Sequence, residues 1–115
     1  TRNRNSSKSE QYKFYHTRQW QALRKLVLDR DSHLDQYALA SGIVQAGNVV
    51  DHIVPFEVAP ELHDVASNLI TCTPETHKLK TAWEQKYYGT GLENERTGAA
   101  LVTDPKIISK IIFSK

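Results

Sequence analysis

The chain has 115 residues, 39% hydrophobic and 24% charged, with a single cysteine and a formal net charge of +2. That is enough chain for one small core. Its apolar runs are too short for a membrane helix of about 20 residues, and one cysteine excludes an intrachain disulfide or a cysteine-rich zinc site. The charge is segregated: residues 1–30 hold eight Lys/Arg against Glu10 and Asp29, residues 31–77 hold seven acids and no Lys or Arg, and residues 78–115 hold seven Lys/Arg against four acids.

Residues 1–11 carry Arg2, Arg4 and Lys8 without an aliphatic side chain, which predicts a flexible basic arm and no signal-peptide core. One domain is expected over 12–115, with Tyr12, Phe14 and Tyr15 packing the arm onto it. Thr17 is an N-cap for a helix over about 18–30. Trp20, Leu23 and Val27, joined by Leu26, form its apolar stripe, and Arg18, Arg24 and Lys25 occupy more exposed positions. Tyr37–Ala40 and Ile43–Gln45 predict one strand or two short ones, ahead of a Gly47-Asn48 turn. A second strand of that hairpin is expected at about 49–54. Residues 56–67 form a loop rich in acids, with His63 expected to be exposed. Asn68–Cys72 predicts another strand, leading directly into a helix capped by Thr73, opened by Pro74 and stopped by Gly89. Leu79, Ala82, Trp83 and Tyr87 would be the buried face of that helix. Ala99–Thr103 suits a strand, and 106–113 fits either a short amphipathic helix or a strand.

The stretch Val49-Val50-Asp51-His52-Ile53-Val54-Pro55 is the organising element. It is a β-branched strand signal with an acid and an imidazole at its centre. Neighbours on a regular strand face opposite ways, so both can serve one site only where the strand ends, and Pro55 supplies an end. Asp51 is a hard oxygen ligand for a divalent cation. His52 is a general base suited to neutral pH. Asn68 precedes the next strand, and His77 lies in the first or second turn of the helix that follows.

In this order and spacing, Val50–Pro55, Asn68-Leu69 and His77-Lys78-Leu79-Lys80-Thr81 resemble the HNH endonuclease family, as do Trp20–Arg24 and Arg30-Asp31 upstream. The resemblance implies an α+β fold: a ββα-metal finger with its core at about 43–88, a helix packed on it N-terminally and a short C-terminal element. It implies His52 as general base, Asp51 and His77 as metal ligands, and Asn68 as the residue that holds the loop and orients the base. Many members carry two Cys-x-x-Cys pairs binding a structural zinc. The matching positions here are about Asp35, Ala38, Thr73 and Thr76, so no structural zinc is expected and hydrophobic packing would hold the hairpin instead. Thr81 stands where some relatives place another histidine. The site would then have one oxygen and one nitrogen ligand, favouring Mg²⁺ or Mn²⁺.

The substrate implied is double-stranded DNA, cleaved by phosphodiester hydrolysis with low sequence specificity. Lys80, Arg18, Arg24, Lys25 and the basic arm would hold the phosphate backbone, with the ββα unit against the minor-groove side. The chain also resembles small bacteriophage HNH proteins encoded beside DNA-packaging genes. That implies terminase and packaging proteins as partners, the host cytoplasm as location and no membrane. The rival readings are a restriction or homing nuclease domain, a DNA-binding or packaging-assembly module with an inactive centre, and a structural metal-binding protein.

Overall fold

Thr17 joins the first two helices with one hydroxyl. It donates to the Phe14 carbonyl at 2.7 Å and accepts from the Trp20 amide at 3.1 Å, closing one helix and capping the next. The computed structural model describes residues 4–114, with side chains from Lys8 onward. Helix α1 spans Arg4–Tyr15 and α2 spans Arg18–Arg30. The arm read as flexible is therefore helical from Arg4; residues 1–3 lie outside the described ones. Residues 4–15 contain no Gly, Pro or β-branched side chain, so nothing local opposes a helix. Phe14 and Tyr15 fix its end, each ring 5.1 Å from that of Trp20. Along α2, Trp20, Val27 and Leu28 are buried and Leu23 half-buried, whereas Leu26 faces solvent.

The strand expected at 37–45 is helix α3, Gln36–Ala40. What remains of the pairing is a single bridge between Leu34 and Ala46. The hairpin consists instead of β1, Val49–His52, and β2, Leu69–Cys72, antiparallel with Asp51 opposite Ile70 and His52 opposite Leu69. Gly47 is where the chain presses on β2: a Cβ there would come within 2.5 Å of the Cys72 carbonyl oxygen.

Helix α4, Pro74–Tyr87, begins at the Thr73 cap, and the chain leaves it through Gly89 at φ +74°. Its buried face is not the expected one. Leu79 and Ala82 are exposed and Trp83 and Tyr87 half-buried, while Thr76, Lys80 and Glu84 are buried. No strand forms at 99–103, and Pro105–Ile112 is helix α5, capped by Asp104. Two apolar clusters result among the described residues. Tyr37, Ile53, Ile70 and Cys72 pack with Ile108 of α5; Trp20, Val27 and Leu69 pack with Phe14, Tyr15, Leu23 and Val50.

The four positions that match zinc cysteines in relatives are tied by hydrogen bonds. Asp35, fully buried, accepts from the Ala38 amide at 2.8 Å on one oxygen. Its other oxygen accepts from the Thr73 amide at 2.9 Å and the Thr73 hydroxyl at 3.1 Å. Thr73 in turn accepts from the Thr76 amide at 3.1 Å. One carboxylate thus gathers the N-terminal ends of α3 and α4, where helix dipoles favour negative charge. Hydrophobic packing holds the hairpin as expected, and a polar knot stands beside it in those four positions.

Candidate active site

The end of β1, the start of α4 and the loop before β2 converge on a cleft of about 310 Å³, lined among others by Tyr15, Asp51, His52, His77 and Thr81. Asp51 and His52 occupy the last two positions of β1. Both are buried, whereas the His77 side chain is 45% exposed.

Asp51 is held asymmetrically. Its Oδ2 accepts from the Tyr37 hydroxyl at 2.9 Å and from the Lys80 ammonium at 2.8 Å. Its Oδ1 faces His77 Nε2 at 3.5 Å. Burial and the Asp51 charge raise the Tyr37 phenol well above its ordinary pKa, so it remains a donor. Asp51 Oδ1 and His77 Nε2 offer one hard oxygen and one imidazole nitrogen at a spacing compatible with ligands about 2.1 Å from one ion. The donor set would suit a hard divalent ion, with most of its shell left to ligands from outside the chain. Among the described residues no group of three or more His, Cys, Asp and Glu is arranged to hold a metal ion.

His52 has both ring nitrogens engaged. Nε2 lies 2.9 Å from the carbonyl oxygen of His63. A carbonyl can only accept, so Nε2 carries the proton and Nδ1 the lone pair. The Tyr15 hydroxyl approaches Nδ1 at 3.4 Å. Burial, reinforced by Asp51, pushes the Tyr15 phenol up to about 12, which keeps it a proton donor. Trp20 stacks on the imidazole, 5.9 Å between centroids and 11° between planes. Burial lowers the His52 pKa against the opposing pull of the His63 carbonyl and Asp51. The ring is therefore neutral, and basic, at physiological pH.

Asn68 sits behind the base rather than beside it. Its Oδ1 accepts from the Val54 amide at 2.9 Å, and its Nδ2 donates to the carbonyls of Val54 at 3.1 Å and Leu62 at 3.3 Å. It pins both ends of the loop that carries the His63 carbonyl. Asp51, His52, Asn68 and His77 are thus brought together.

Lys80 is not available to a phosphate. Its side chain is fully buried and donates to Asp51, to the His52 carbonyl at 2.8 Å and to Glu84. Burial alone would depress its pKa, but Asp51 and Glu84 outweigh that and raise it. The ammonium therefore stays charged, while burial raises the Glu84 carboxyl against the pull of Lys80. Arg18 and Lys25 are exposed on α2, and Arg24 donates to the Asn48 carbonyl at 2.6 Å; none of the three lines the cleft. Sequence reasoning missed Tyr15, Tyr37, Glu84 and the His63 carbonyl, and read His63 as exposed, although its ring packs 4.7 Å from Phe14 and 4.9 Å from Phe56. The one available signal was the polar stripe Thr76, Lys80, Glu84, spaced to share one helix face.

No protein-family model matches the sequence, and no curated protein does. Among solved structures, the HNH endonuclease of the deep-sea thermophilic bacteriophage GVE2, crystallised with manganese ion, superposes with a TM-score of 0.71 at 30% identity. The match covers 74% of this chain and 92% of that one. With the strand-end Asp-His pair, the asparagine-pinned loop and the helix histidine in one cleft, this chain belongs to the HNH endonuclease family.

Proposed function

We propose that the protein is a divalent-metal-dependent endonuclease that hydrolyses phosphodiester bonds of double-stranded DNA with low sequence specificity. The observation that carries this reading is the juxtaposition of a buried neutral imidazole, fixed by a backbone carbonyl, with a carboxylate that keeps one oxygen turned toward a second imidazole. His52 accepts a proton at Nδ1 from the attacking water, while its Nε2–H stays on the His63 carbonyl. Water must take the place of the Tyr15 hydroxyl at that lone pair. Asn68 keeps the carbonyl in position by holding the loop. A divalent cation on Asp51 and His77 would neutralise charge on the phosphate and the leaving oxygen. The exposed bases of α2, Arg18 and Lys25, would meet backbone phosphates by charge alone. The manganese of the GVE2 enzyme and its phage origin support a divalent-metal-dependent phage enzyme; the reading extends this to Mg²⁺ as an alternative ion, phage genome processing, packaging proteins as partners and the host cytoplasm as setting. Among the described residues no helix is long and apolar enough to cross a membrane.

The test is supercoiled plasmid incubated with the protein in Mn²⁺, in Mg²⁺ and in EDTA, with His52→Ala in parallel. We expect metal-dependent nicking or linearisation, reduced in the variant by about 10²–10⁴-fold, the usual contribution of a general base. Plasmid left intact by both proteins but retarded on a gel by both would instead favour a DNA-binding module with an inactive centre.

A further inference from the structure

The ammonium of Lys80 lies among three oxygens: Asp51 Oδ2, the His52 carbonyl and the Glu84 carboxylate. An ammonium has three N–H donors, and each has an acceptor here. Two carboxylates and a backbone carbonyl facing one point are also the oxygen set that a hard divalent cation takes. Glu84 lines the same cleft as Asp51 and His77, so the seat borders open space. Asp51 spans both positions, with Oδ2 on Lys80 and Oδ1 toward His77. We propose that Lys80 is a built-in cation: its ammonium fills a three-oxygen seat that a second divalent ion would otherwise occupy. By doing so it makes Asp51 a one-oxygen ligand aimed at His77. Lys80 is thus a positioning residue that limits the site to one metal. An ordinary buried ion pair makes a different prediction, since replacing it with apolar groups is often neutral and opens no metal site.

The inference rests on Asp51 and His77 being the metal ligands, and the experiment separates the two claims. Bound Mn²⁺ is counted per chain from the loss of the free-ion electron paramagnetic resonance signal, on the full chain. Wild type should bind one ion, and His77→Ala should lose it; failure there removes the ligand assignment only. Lys80→Ala, which empties the seat, should gain an ion over wild type, and adding Glu84→Ala in the same chain should remove the gain. No gain in Lys80→Ala, or a gain that survives Glu84→Ala, overturns the proposal. Should Lys80→Ala fail to fold in EDTA, saturating Mn²⁺ is expected to restore its fold by binding the native state. A chain that stays unfolded in Mn²⁺ also overturns it.

Discussion

Asp35 receives three hydrogen bonds on its side chain, spread over both oxygens, and each donor is a neutral group. Asp51 receives two, both on Oδ2, and one of those donors is an ammonium. Both carboxylates are buried. The first is closed on every side and does only structural work, joining two helix starts. The second leaves Oδ1 facing a cleft and an imidazole. What separates the scaffold carboxylate from the proposed ligand carboxylate is therefore the distribution of donors over the two oxygens, not burial or charge.

Substitutions can break that contrast at either end. The largest effect is expected for Asp35→Ala, which strands three donors inside the protein. It should cost about 3 kcal/mol of stability, measured by urea denaturation, with activity per folded molecule unchanged. Asp51→Asn should lower Mn²⁺-dependent plasmid nicking per folded molecule by at least about a hundredfold; it also takes a charged partner from the buried Lys80 ammonium, so the denaturation midpoint falls as well. If Asp35→Ala lowers activity per folded molecule as much as Asp51→Asn does, the division of labour is wrong. Thr73→Ala removes both a helix cap and a partner of Asp35, for about 1–2 kcal/mol, again without a change in metal affinity. Tyr37→Phe sharpens the comparison from the other side. It takes one donor from Asp51 Oδ2 and should weaken Mn²⁺ binding about tenfold, as outer-shell changes do, by titration calorimetry.

Much of this was legible in short-range chemistry. Thr17 and Thr73-Pro74 mark helix starts because a cap acts through its own side chain, and the spacing of Asp51, Asn68 and His77 was enough to suggest the ββα unit. The failures have a common cause. Tyr37–Ala40 looked like a strand because its apolar run was read alone, whereas the helix there starts from Asp35, whose other oxygen is held by Thr73 far along the chain. The buried face of α4 does not follow hydrophobicity: Thr76, Lys80 and Glu84 are inside and Leu79 and Ala82 outside. Lys80 and Glu84 are buried because Asp51 gives the ammonium a partner, a contact between residues distant in sequence. The role of the His63 carbonyl had no side-chain signature, since the group that acts belongs to the backbone.

Arg30 and Asp31, which close helix α2, have a consequence beyond the site. The Arg30 guanidinium donates to the carbonyls of Ala66 at 2.9 Å and Leu69 at 2.7 Å, and Asp31 accepts from the Thr71 amide at 2.9 Å. The Leu69 and Thr71 groups lie on the strand edge that β1 does not use. Unpaired edges of this kind recruit strands from other molecules, and a two-stranded sheet is marginal by itself. A pair of oppositely charged side chains here imitates a third strand. The β2 edge of the sheet that carries Asp51 and His52 is thereby covered against pairing with another chain.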